Sequence, residues 1–453
     1  MSSLDQYISL FEHNRAAIYA ASPEALNRLR PSALSALKRF GRLPGKRDEG
    51  YSKISLEEMF APDFGVNISR VAFPVDVAQS FKCDVPNVST LLGLVVNDAF
   101  RPTATLLKNC PEGVTVTSLA SLAASDPQFV EQYLGRLSAD RDAASALNTL
   151  LMQDGVVVRV RAGVKLDKAI QIVNIFNAAA PLMSVRRLLV VLEDNASARL
   201  LVCDHAQSSE YQYLSSQVAE IYLGEGASLD YCDIEESSEK TSRIAQLFVS
   251  QQRDSRLTVN GTSLTVGHTR NEYHIDINGE GCDTDLAVMA IADGSQVIDN
   301  SSRINHNAPR SRSNQLFKYL LDDKSQGAFE GLIYVAQDAV HTEAYQTDRN
   351  MLASADARMH TAPQLEIYCD DVKCSHGAAT GQLDRNALFY MQTRGVPEAE
   401  ARMMLMQAFM SDVIDRVAID GLRDRLRHLV ERRLSGEHAV CGDCAATCHN
   451  KSE

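Results

Sequence analysis

The sequence predicts a mainly β protein, a parallel β-helix core between helical terminal regions. Three observations lead there. From residue 146 to 380 short alternating or β-branched runs follow one another, among them VVVRVRAG, IQIVNIF, RLLVVLE, EYHIDING and DLAVMAIA. Tight-turn signals separate them, including Glu193-Asp194-Asn195-Ala196, Gly224-Glu225-Gly226-Ala227, Asn278-Gly279-Glu280-Gly281, Ala292-Asp293-Gly294-Ser295 and Asp322-Asp323-Lys324-Ser325. No helical pattern interleaves the runs, which counts against a doubly wound sheet and leaves stacked β coils or an all-β sandwich. The recurring turn form, at an irregular period of roughly 15 to 30 residues, favours a stack of coils whose ends need caps.

Residues 1–145 read as a helical and irregular region. Leu4, Ile8, Leu10 and Phe11 fall at helical spacing, Ser22-Pro23-Glu24-Ala25-Leu26 reads as a helix start, and Asp126-Pro127-Gln128 opens another. Residues 381–435 return to helix. Leu383–Arg394 is a short amphipathic segment closed by Gly395, and Pro397-Glu398-Ala399-Glu400 starts a longer one, acidic where the helix dipole favours it. Within the longer helix, residues 403–410 are apolar nearly all round, so it is expected to be covered on more than one face, as a cap over the end of the coil stack. Flexible methionines also suit a docking surface, which singles out Met403, Met406 and Met410. Residues 436–453 form a Cys/His-containing tail.

Composition narrows the function. The chain has 453 residues, 45% of them apolar, enough for a large core, and a net charge of −13 that disfavours a nucleic-acid surface or an anionic membrane. The N-terminal stretch carries Asp5 and Glu12 without an apolar signal core, and no apolar run is long enough to span a bilayer. A cytoplasmic address and reduced thiols are therefore expected for the ten cysteines. Neither a G-x-S-x-G nucleophile elbow nor a phosphate loop is present, so no ATPase activity of its own is expected. A carbohydrate-active β-helix enzyme is the enzymatic alternative; it is disfavoured because the acidic residues sit mainly in turns.

Two segments carry metal-ligand chemistry. In DVKCSHG, Cys374 and His376 are two apart in a strand-like run, so they project from the same face about 6–7 Å apart. A thiolate beside an imidazole suits an iron–sulfur cluster, zinc or copper, but a closed site commonly takes four ligands and one strand supplies two. A second chain at an interface is the expected source of the rest. In the tail, Cys441, Cys444, Cys448 and His449 form a candidate zinc or transient cluster site, weighed against adventitious thiols and against a redox Cys-x-x-Cys.

The segment PQLEIYCDDVKCSHGAATGQLDRNALFYMQTRGV resembles the hallmark segment of the SufB/SufD family of the Suf iron–sulfur cluster assembly machinery, on its SufD branch. The resemblance extends to GLIYVAQDAVHTEAYQTDRNMLAS, to ALNTLLMQDGVVVRVRAGVKLDKAIQIVNIF and to LPGKRDEGYSKISLEEMF. The SufB branch carries its cluster-assembling cysteine in the region of Tyr345-Gln346-Thr347-Asp348, where this chain has none. The resemblance implies a right-handed parallel β-helix, pairing with SufB through the β-helix ends, and docking of the ATPase SufC by the C-terminal helices. It implies a non-catalytic scaffold on which a transient Fe–S cluster forms at the SufB interface, beside His376 and its neighbour Cys374. A SufB-like cluster-carrying role and a homodimer held by β-helix edges are the alternatives. No residue of the sequence can be assigned to a flavin.

Overall fold

The computed structural model describes residues 2–71, 90–139 and 141–435. From Val156–Val160 onward, successive strands alternate between two ten-stranded sheets, and each pairs in parallel with the strand two places ahead. Arg312–Leu321, Glu343–Leu352 and Lys373–Gln382 stack in this way in one sheet, and Val297–His306, Gln326–Val335 and Arg358–Ile367 in the other. The result is a parallel β-solenoid. Its turns are the ones the sequence marks: Asn195, Gly226, Gly281, Gly294 and Asp323 all have positive φ, a conformation that glycine, asparagine and aspartate tolerate best.

Period-two alternation sends one set of side chains into the solenoid. In the sheet that holds Ser228–Glu236 this set stacks as Leu200, Tyr231, Val259 and Leu286, with Ala198, Leu229, Leu257 and Thr284 in the neighbouring column, all buried. The interior is not purely apolar. Arg186, Asp204, Asp233, Glu235 and Arg243 are buried together there, joined by ion pairs from 2.6 to 3.6 Å.

The N-terminal region is helical, as expected, but it also contributes Leu91–Val96, Ala99–Pro102 and Val114–Ser118 to the first coils. Its helices Ser3–Ala20, Arg30–Phe40 and Ala143–Leu151 cover the outer face of one sheet, packing Phe11, Leu37 and Leu147 with Val185, Leu189 and Leu214. The C-terminal helices Glu398–Ile414 and Asp420–Leu434 cover the outer face of the other sheet, where Met410, Val413, Leu422 and Leu426 meet Cys232, Leu264, Met289 and Leu316. The expectation of a cap over the end of the stack is thus corrected. The helices bind the flank because the outward-facing apolar positions of that sheet form a stripe running across several coils, which offers more apolar area than one coil end.

Candidate functional site

With both flanks covered, the last coil is left bare. Arg358–Ile367 and Lys373–Gln382 are the terminal strands of their sheets, hydrogen-bonded along one edge only among the described residues. Most of their side chains are exposed or half-exposed. An uncovered edge of this kind is a template for adding another chain's strand.

Cys374 and His376 lie on this edge strand, in register with Ala344 and Gln346 of the coil below. Because Ala344 and Gln346 point inward and are buried, Cys374 and His376 also belong to the inward-facing set, at a point where no further coil covers them. The two differ in surroundings. Cys374 is half-buried against a small apolar cluster of Ile333, Val335, Ala339, Ala344 and Cys369. Burial pushes its thiol pKa up, and the neighbouring Cys369 adds to the rise. His376 is exposed. Among the described residues no group of three His, Cys, Asp or Glu side chains could hold a metal ion, so within them the pair stands without a third ligand of these types. The tail candidates Cys441, Cys444, Cys448 and His449 lie outside the described residues.

Three functional-looking side chains in the coil beneath escape a reading of the sequence alone. Gln346, Asp348 and Asn350 of Glu343–Leu352 all turn inward and are buried. Gln346 spans the interior, where its Nε2 donates to Gln315 Oε1 at 3.3 Å. Gly331 makes that possible, because a Cβ at this position would come within 2.3 Å of Gln346 Nε2. Burial raises the Asp348 carboxyl to about 6, against the lowering effect of Asn350 and Thr361. The one available signal was period two in YQTDRN, and it becomes informative only when the strand's inward face is known.

The methionines divide between core and surface. Met410 is fully buried against the sheet, which corrects its selection as a partner contact: it already packs within the chain. Met406 is partly buried in the same cluster, and Met403 is half-exposed. Met404 on the same helix is 46% exposed. The helix is pinned by Lys318, whose Nζ donates to Phe409 O at 2.7 Å and to Asp412 Oδ2 at 2.5 Å and lies 4.6 Å from the Phe409 ring centre. The preceding helix Arg385–Thr393 buries none of its residues, leaving Phe389 67% and Tyr390 60% exposed. Aromatics are enriched at protein interfaces generally, and these two are the large exposed ones of this helix.

The sequence is similar to those of known proteins over most of its length. Residues 174–409 match the family described as the SUF system FeS cluster assembly, SufBD core domain, and residues 1–172 match the SufBD protein N-terminal region. An iron–sulfur cluster assembly SufBD family protein of Synechocystis is 33% identical over 400 residues, covering 86% of this chain and 88% of that relative. The iron–sulfur cluster assembly protein SufD of Escherichia coli is 35% identical over 167 residues, 37% of this chain and 40% of the relative. SufD of Bacillus subtilis is 24% identical over 326 residues, 71% of this chain and 74% of the relative. Among the described residues no helix is long and apolar enough to cross a membrane.

Proposed function

This chain belongs to the SufBD family of iron–sulfur cluster assembly proteins, and from that premise we propose that it is a non-catalytic scaffold subunit of a Suf complex. It pairs with SufB through the bare end of its solenoid and docks the ATPase SufC on its C-terminal helices. The nascent cluster is cargo, assembled beside His376 and Cys374 with SufB supplying the remaining ligands.

One observation carries this reading: an incomplete ligand pair sits on an unpaired edge strand. A strand that adds to this edge completes the hydrogen-bond ladder and brings its own inward-facing side chains to within one strand spacing of His376, about 4.8 Å. Shared coordination of this kind holds iron weakly enough to release it, which suits assembly followed by transfer. His376 is the stronger candidate of the two, being exposed to a partner, whereas Cys374 is engaged in apolar packing.

The test is to co-purify the chain with SufB and SufC, reconstitute with iron and sulfide, and compare wild type with His376→Ala. A large fall in cluster yield from an intact complex is expected. Equal yields from equally assembled complexes would remove His376 from the site.

A further inference from the structure

Beneath the edge strand, the interior of the last closed coil contains a carboxylate without a counter-charge. Asp348 is 0% exposed, and no ion pair reaches it among the described residues. Further along the interior, Asp204, Asp233 and Glu235 have Arg186 and Arg243 among them. In register with Asp348, Phe317 stands below and Ala378 above, and neither side chain can donate a hydrogen bond or supply charge. A buried charge is ordinarily paired or coordinated to a metal.

The neighbours of Asp348 add oxygen acceptors. Gln346 Oε1 and Asn350 Oδ1 are buried without a hydrogen-bond partner, and Asp348 between them has only the neutral groups of Asn350 and Thr361 beside its carboxylate. The amide orientations are fixed by what the nitrogens do. Gln346 Nε2 donates to Gln315, and Asn350 Nδ2 donates to Asp348 Oδ2 at 2.8 Å and to Thr380 Oγ1 at 3.2 Å. The oxygens are therefore the atoms left over. Two unsatisfied acceptors on either side of an unpaired carboxylate, on alternate residues of one strand, ask for positive charge; a water molecule alone would satisfy hydrogen bonds but not the charge. Access is open from above, because Ala378 is small and exposed and a Cβ at Gly377 would meet nothing within 4 Å.

We propose that the mouth of the solenoid interior binds one divalent cation of hard or borderline character. Asp348 is the anionic ligand, and the side-chain oxygens of Gln346 and Asn350 complete its inner or water-bridged shell. An all-oxygen donor set fits manganese, magnesium or ferrous ions better than soft metals. The site lies one coil below His376, so a ferrous ion held there would be stored next to the assembly position. That use rests on the scaffold reading above; the binding itself does not.

The test uses the full chain alone and Mn²⁺ as the probe, with free ion counted by electron paramagnetic resonance near neutral pH. Wild type is expected to bind one ion that Asp348→Asn binds at least tenfold more weakly, and Mn²⁺ is expected to raise the melting temperature of wild type only. Ala378→Lys provides a second variant, since it places an ammonium directly above Asp348 at an exposed position and should displace the ion. Absence of binding by wild type overturns the proposal, as does binding by Asp348→Asn or Ala378→Lys equal to that of wild type. None of these outcomes bears on the His376→Ala reconstitution, so the two readings fail separately.

Discussion

Arg187 and Glu220 form an ion pair of 2.7 Å in which both side chains are completely shielded from solvent. The Glu220 carboxylate also accepts from the backbone amides of Gly135, Leu137 and Ser138 at 2.8, 2.9 and 3.2 Å, and Arg187 donates to the Ser138 hydroxyl at 2.7 Å. The pair thus fastens the N-terminal region to the outer face of the solenoid. The three backbone amides and the Ser138 hydroxyl come from the segment that follows the helix Pro127–Tyr133.

Removing one member leaves the other charged and buried. Glu220→Ala is expected to destabilise the chain by about 3–5 kcal/mol. Glu220→Gln should destabilise it less, because an amide oxygen in place of Oε1 still accepts from Leu137 and Ser138, although Gly135 and Arg187 lose their acceptor. Urea unfolding followed by circular dichroism checks this. Midpoints in the order wild type, Gln, Ala are expected, and identical midpoints for all three would show that the pair does not hold the regions together.

Much of this architecture is legible in the sequence, for physical reasons that differ by element. The turns at Asn195, Gly226, Gly281, Gly294 and Asp323 are readable because positive φ restricts the residue type. That Cys374 and His376 share a face follows from the period of a strand. Other features depend on which faces meet, which a single sequence does not encode. Residues 403–410 look equally apolar on all sides, yet packing on a sheet flank buries Met410 and leaves Met404 in solvent. Gln346, Asp348 and Asn350 look like surface residues because they are polar, and only the coil register turns them inward.

Two buried groups in the solenoid interior set opposite dependences on pH. Arg243 divides its guanidinium among Asp204, Asp233 and Glu235, at 2.9, 2.6 and 3.6 Å, so Glu235 is the least compensated. Burial above all, with the negative charge of Asp204 and Asp233, raises its pKa from 4.5 to about 7 despite Arg243. The folded chain therefore holds a proton that the unfolded chain loses, and stability falls as pH rises from 4.5 to 7. His306 is buried with Nε2 2.8 Å from the Ser313 hydroxyl, and burial lowers its pKa from 6.5 to about 4. There the unfolded chain takes the proton first, so stability falls as pH drops from 6.5 to 4.

The two slopes offset each other between about pH 4.5 and 6.5, each being worth about 3 kcal/mol across its full window. Glu235→Gln should expose a stability that climbs with pH, and His306→Gln one that declines with pH over the same range. Unfolding midpoints at half-unit steps from pH 4.5 to 7.5 check both. Variants whose curves run parallel to wild type would place both pKa values near their ordinary positions.

The exposed aromatics of Arg385–Thr393 and the buried Met410 predict opposite consequences for the same kind of substitution. Phe389 and Tyr390 make no contribution to the core, so Phe389→Asp with Tyr390→Asp should change stability by no more than about 0.5 kcal/mol. If this face docks SufC, aromatic anchors of that size carry much of the affinity, and the double variant should weaken binding by about 30-fold or more. Met404→Asp should add a smaller loss, since Met404 lies on the adjoining helix and is only partly exposed. Met410→Asp places a carboxylate among Cys232, Met289 and Leu316 and should unfold or loosen the C-terminal helices without any partner present. Thermal melts of the isolated chain and titration with SufC separate the cases. A double variant that melts like wild type and binds SufC like wild type would move the docking surface away from these helices.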